Sequence, residues 1–265
     1  MKKLFLILIF LCAMPALGAY EFDSVDDLVQ INTQGTSLNN ICGTNADDGV
    51  VGCTVSAWIY PYSQGESNAG IIIKKTDEIN VLRTFNLSFR STTTLSLRFN
   101  YGYGTVALNQ ESVNNAVVLN KWQHVAATYH TNGGLLATNV KIYVNGIEVS
   151  SYQNSSNGVL SAHSDASGTY AIGNNPFTAN STFHGKISQI KMCNRALSSN
   201  EVFALYSNKL FFTGPSCVAD WRFSELGEGI SASGVGVFRD YSGNGNVGTP
   251  VNSPTSKTDN NLSYP

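Results

Sequence analysis

The sequence predicts an all-β protein built as a two-sheet antiparallel sandwich with one short helix. Three observations carry that prediction. Apolar and polar residues alternate with a period of two through several short runs, as strands with one buried face require. Clusters of Gly, Asn, Ser and Asp punctuate those runs and supply turns. Across residues 140–149, apolar side chains alternate on both sides of Asn145-Gly146, a dipeptide that takes the positive φ angles of a two-residue type I′ turn. That turn sets Val144 opposite Ile147 and Ile142 opposite Val149, all on one face, so turn chemistry and hydrophobic pattern agree on one register.

The elements follow in chain order. Lys2 and Lys3 precede an apolar run over residues 4–11, too short to span a bilayer, and Ala16-Leu17-Gly18 supplies small residues. This predicts a secretory signal over residues 1–18, cleaved before Ala19. Residues 26–31 form a first short strand, and 39–52 a polar loop pinned by cysteines. Residues 54–60 carry apolar groups on both faces (Val55, Ala57 and Ile59 against Trp58 and Tyr60), which predicts a central strand. After a loop over 61–70, Phe85, Leu87 and Phe89 alternate with Asn86, Ser88 and Arg90. Leu95, Leu97 and Phe99 then alternate with Ser96, Arg98 and Asn100. Strands at 122–129, at the Asn-Gly hairpin and at 170–173 follow. Ser198-Ser199-Asn200-Glu201 fits a capping box, and Val202, Leu205 and Tyr206 form an apolar stripe behind it, predicting a helix across one edge of the sandwich.

Charged residues make up 13 % of the chain and the net charge is −2, with no basic stripe, which argues against a nucleic-acid partner. No segment after the signal is long and apolar enough to insert in a membrane. Signal cleavage leaves Cys42, Cys53, Cys193 and Cys217, an even number in an exported chain, which predicts two disulfides. Of the possible pairings, Cys42–Cys53 and Cys193–Cys217 each close a short local loop. There is no CxxC pair and the histidines are scattered, so zinc is disfavoured.

Several stretches together resemble the laminin G-like, concanavalin A-like jelly-roll family. They are Phe22-Asp23-Ser24-Val25-Asp26-Asp27, Thr54-Val55-Ser56-Ala57-Trp58-Ile59-Tyr60-Pro61, Trp122-Gln123-His124-Val125-Ala126 and Val140-Lys141-Ile142-Tyr143-Val144-Asn145-Gly146. Ile172-Gly173-Asn174, Phe183-His184-Gly185-Lys186-Ile187 and Asn194-Arg195-Ala196-Leu197-Ser198 continue the match in order. The resemblance implies two antiparallel sheets in a jelly roll and a role in binding carbohydrate or protein without catalysis. Two departures stand out. Ser188 occupies a position where relatives often carry an Asp that supports calcium. And Trp221-Arg222-Phe223-Ser224-Glu225, followed by residues 240–248, resembles the family's usual opening but here closes the chain. Either the domain, residues 19–248, is circularly permuted with 217–248 completing the sandwich, or 217–248 begins a truncated second repeat. Isolated, Trp221 and Phe223 would expose several kcal/mol of apolar surface, which favours the first. Residues 249–265 read as a polar tail.

Residues 243–248 match GxGxxG letter for letter, but no helix pattern follows Thr249-Pro250, so a phosphate cradle is not expected. Asp240, Asn244 and nearby carbonyls could instead offer oxygen ligands to calcium, or close a turn on their own backbone. No strand shows acids spaced by two, and no nucleophile elbow or HExxH is present, so catalytic residues are not assigned. Tyr62, Tyr101 and Tyr103 are the candidate sugar-stacking rings, the last two in Asn100-Tyr101-Gly102-Tyr103-Gly104; the alternative is that they cover the core edge. The tryptophans sit in strand patterns and belong to the core. The sequence thus predicts an exported, non-catalytic module (secreted, periplasmic or at the cell surface) that recognises a glycan or a cell-surface protein. A self-associating adhesive protein and a glycan-active hydrolase with distant carboxylates are the other readings; an oligomeric state has no signal.

Overall fold

The computed structural model describes residues 17–31, 37–39, 41–42, 52–76, 84–90, 95–103, 106–130, 139–156, 168–178, 180–207, 217–232, 234, 236 and 238–259. In chain order the strands are β1 (Leu17–Asp23), β2 (Leu28–Ile31), β3 (Gly52–Pro61), β4 (Ile71–Thr76), β5 (Thr84–Arg90) and β6 (Ser96–Tyr103). Next come β7 (Val106–Ser112), β8 (Gln123–His130), β9 (Val140–Val144), β10 (Ile147–Val149), β11 (Ser151–Ser156) and β12 (Thr169–Ile172). The chain finishes with β13 (His184–Cys193), the helix α1 (Ser199–Ser207), β14 (Cys217–Trp221), β15 (Gly248–Val251) and β16 (Thr255–Asp259). A single turn of 3-10 helix lies at Glu66–Asn68.

Two antiparallel sheets result, as expected. The first has the order β10-β9-β8-β3-β13-β1-β16, with β14 also paired to β13; the second has the order β11-β7-β6-β5-β4-β12-β2-β15. β3 is central, as its two apolar faces require. Val55, Ala57 and Ile59 enter the main core, while Trp58 faces the other way and stacks on Tyr206 of α1 at 5.7 Å. The hairpin keeps its expected register, Ile147 on Val144 and Val149 on Ile142, with Asn145 and Gly146 both at positive φ. The Asn145 side chain also accepts the backbone N–H of His124, tying the turn to β8. Ile147 is nevertheless exposed, because the hairpin tip reaches past the core.

The helix begins with a reciprocal capping box: Ser198 Oγ accepts the Glu201 N–H at 3.4 Å, and the Glu201 carboxylate accepts the Ser198 N–H at 2.9 Å. It lies beside the β10 edge of the first sheet, where Phe203 and Tyr206 approach the Gly146 turn. Val202 and Leu205 pack on Ala126, Tyr143 and Cys193, so α1 covers the outer face of the first sheet. Both expected disulfides are present, Cys42–Cys53 and Cys193–Cys217.

The chain ends need one correction. Of the segment expected as a signal, residues 1–16 lie outside the described residues, and Leu17 and Gly18 belong to β1. The stretch 249–265, expected as a tail, carries most of β15 and all of β16 up to Asp259. β15 pairs with β2 and β16 with β1. Polar composition hid these strands: Pro250 is tolerated because β15 is an edge strand, and Ser256 is buried where it bonds the Leu226 carbonyl. Between them, β14 pairs with the second half of β13 while β1 pairs with the first half.

The Cys193–Cys217 bond fastens β14 to β13 across a sequence separation of 24. Replacing both cysteines by alanine should lower unfolding stability by about 3 kcal/mol, read as a lower urea midpoint with a slope that rises as the uncrosslinked unfolded chain exposes more surface.

Candidate functional site

The candidate site lies on the outer face of the second sheet. Phe85, Leu87 and Phe89 of β5 and Leu97, Phe99 and Tyr101 of β6 point into the core. The pleat therefore turns Ser88, Arg90 and Arg98 outward. Register then builds a row across four strands: Ser88 opposes Arg98, Arg98 opposes Glu111 of β7, and Glu111 opposes Tyr152 of β11.

Glu111 is the centre of that row. Only 4 % exposed, it lies against Arg98 Nε and Arg90 Nη1, each 3.2 Å from Oε1. Its second oxygen accepts the Tyr152 hydroxyl at 3.2 Å. Partial desolvation, then this bond to a carboxylate, holds the Tyr152 phenol above its ordinary range. Half of Tyr152 remains exposed. These four side chains, with Asn68 and Asn114, help line a cavity of about 610 Å³. Beside them Asn100 and Asn109 bond across β6 and β7. Among the described residues that line the cavity, Glu111 is the one carboxylate.

The expected sugar-stacking tyrosines are not brought together. Tyr101 was expected in a loop, but β6 runs on to Tyr103, and Tyr101 continues the inward series after Leu97 and Phe99. It is buried, with its ring 5.5 Å from that of Tyr129. The backbone of Tyr103 pairs with Val106; its side chain lies outside the described residues. Tyr62 follows β3, half-buried, with its ring edge-on to Tyr60 and His184 and its hydroxyl donating to Glu21 at 3.1 Å. It is on a different sheet from the cavity. Of the tryptophans, Trp58 and Trp221 are buried and Trp122 is half-buried.

Asp240 and Asn244 do not fit a calcium site. Asp240 Oδ1 accepts the N–H groups of Asp220 and Ser242, at 3.0 and 2.9 Å. Its Oδ2 accepts from the Ser242 hydroxyl and from both the backbone N–H and the side-chain amide of Asn246, at 2.8 to 3.0 Å. Asn244 donates its amide to the Val218 carbonyl at 3.1 Å. Hydrogen-bond donors, not an open oxygen cage, surround the carboxylate, and the loop is a satisfied turn. Elsewhere Asp23, Asp26 and Asp27 place carboxylate oxygens within 4.8 Å of one another. Burial, then the Asp23 charge, pushes the Asp27 carboxyl up to about 7.

Sequence reasoning had placed Arg90 and Arg98 on the polar phase of their strands but did not single them out. Glu111 and Tyr152 belong to strands it did not foresee. The available signal was the outward phase of charged residues within a run that is otherwise Asn and Ser.

With the geometry established, comparison gives the family. Residues 32–203 match the model of the concanavalin A-like lectin/glucanases superfamily, and the chain belongs to it. No curated protein matches the sequence significantly. Among solved structures, the chain resembles a candidate carbohydrate-binding protein from Bacteroides ovatus at 20 % identity, covering 93 % of this chain and 61 % of that one, with a TM-score of 0.60. It also resembles the native heptameric SAP-like pentraxin of Limulus polyphemus at 18 % identity, covering 72 % of this chain and 82 % of that one, with a TM-score of 0.50. The full extracellular region of zebrafish Gpr126/Adgrg6 matches at 14 % identity over 92 % of this chain and 26 % of that one, with a TM-score of 0.51. This chain thus spans less than two thirds of two of these three. At such identities the likeness is one of fold.

Two measurements check these side chains. Asp240→Ala should cost about 2 to 4 kcal/mol in urea unfolding, because it leaves buried N–H groups of Asp220 and Asn246 unpaired. Asp27 in the folded chain keeps a proton that the unfolded chain has already released between its ordinary pKa of 3.8 and about 7. Stability should therefore fall as pH rises through that window and level off above it, and Asp27→Asn should flatten the slope.

Proposed function

We propose that this protein is an exported, non-catalytic carbohydrate-binding module whose glycan site is the groove over Arg90, Arg98, Glu111 and Tyr152. The observation that carries the reading is the buried Glu111 carboxylate held by two guanidiniums and a phenol on the outer face of a sheet. Replacing buried ion pairs by apolar packing is often neutral or stabilising, so folding alone gives little reason for a buried carboxylate held by two guanidiniums at this face. Recognition supplies one. Fixed planar donors face a groove, the half-exposed Tyr152 ring offers a stacking surface, and paired asparagines extend the polar strip along the sheet. The fold agrees, since the superfamily contains lectins and the Bacteroides ovatus relative is itself a candidate carbohydrate-binding protein. That Glu111 is the one acid among the described lining residues favours binding over hydrolysis. Two disulfides favour an oxidising, extracytoplasmic setting. Calcium has no part in this reading.

A glycan array followed by calorimetry on the strongest hits tests it. The wild-type chain should bind, and Tyr152→Ala should weaken binding about tenfold or more with circular dichroism unchanged. No hits, or hits that Tyr152→Ala and Arg90→Ala both leave intact, would sink the reading.

A further inference from the structure

The charge of the groove narrows the ligand. We propose, resting on the glycan reading above, that the groove selects an anionic sugar, one carrying a carboxylate or sulfate group that docks on Arg90 and Arg98. Both guanidiniums contact the same atom, Glu111 Oε1, so they lie side by side. Arg90 meets it through Nη1 and Arg98 through Nε; the other N–H groups of the two forks have no partner among the described residues. Among the described residues that line the cavity, two cations and one anion leave one net positive charge. Glu66, at the nearby rim, does not cancel that charge, because its carboxylate is turned away onto the backbone N–H and hydroxyl of Thr182, each at 3.2 Å.

The chain as a whole carries −2, so this positive spot is local rather than part of a general basic surface. Glu111 is the device that makes it usable. Buried on the strand side, it cannot itself reach out to solvent, but it orients both arginines before any ligand arrives and lowers the entropic cost of binding. The planar forks that remain match carboxylate and sulfate oxygens in bidentate geometry, which a neutral hydroxyl does not reproduce. Arg90 is half-exposed and Arg98 about a quarter exposed, so both present donors to the groove.

Calorimetry on the full chain with two matched probe pairs tests this: trigalacturonate against its trimethyl ester, and dextran sulfate against dextran. In at least one pair the charged member should bind about tenfold tighter or more, and that preference should shrink between about 20 and about 200 mM salt. The pair showing the preference identifies carboxylate or sulfate as the source. Arg98→Gln should erase the preference. Both arginines hold buried Glu111, so Arg90→Gln, at the more exposed of the two, serves as the second variant, with circular dichroism checking the fold of each; it should lower the charged-over-neutral affinity ratio about tenfold. Equal binding of charged and neutral members overturns the anionic inference and leaves sugar binding standing. Failure of all four probes, alongside a blank glycan array, overturns both.

Discussion

The sandwich depends on burying Trp221. Its side chain is fully enclosed, and its indole N–H donates to the Asn246 carbonyl at 2.7 Å. Tyr20, Phe223 and Phe238 pack beside one another in the same core, so the first described strand and the last third of the chain share one interior. The loop around Asp240 makes this possible by satisfying the backbone donors that approach with it. Next to it, Lys191 of β13 and Asp220 of β14 form an enclosed ion pair at 2.7 Å. Burial draws the Lys191 ammonium below its ordinary range while Asp220 pulls the other way, so neither partner is indifferent to losing the other. Residues 217–259 are thus bound to the rest by strand pairing, a disulfide, an ion pair and aromatic packing together.

The groove depends on the same sheets at one remove. Its row of four residues exists only because β5, β6, β7 and β11 keep one register, since a slip of one residue would turn the arginines inward and the phenylalanines out. The apolar phase of those strands fixes the register, and the polar phase is carried along with it. Core packing by Phe85, Leu87, Leu97 and Phe99 therefore positions Arg90 and Arg98 without touching them.

What was legible in the sequence follows from how local each feature is. The Asn145-Gly146 hairpin, the central β3, the capping box and both cysteine pairs each rest on a few neighbouring residues, and each stands as expected. β4, β7 and β11 escaped notice. In β11 the residues are polar throughout, and in β7 only Val106, Ala107 and Leu108 are apolar. The site suffered most, because Arg98, Glu111 and Tyr152 are remote in sequence and meet only through pairing. Tyr101 misled for a related reason: Gly102 and Gly104, which follow it, suggested a loop, while the alternation from Leu97 ran straight through it. Asp240 could be read either as a calcium ligand or as a turn residue, because composition does not distinguish a carboxylate facing donors from one facing a cation.

The neighbouring positions of β1 and β16 have a geometric consequence for display. Leu17 opposes Asp259, so the chain enters and leaves the sandwich along one margin. β15 and β16 flank that margin in the two sheets, while β10 and β11 occupy the opposite one. The groove belongs to the β11 side. A surface that grips the molecule along the β1–β16 margin would therefore hold it on the side away from the groove.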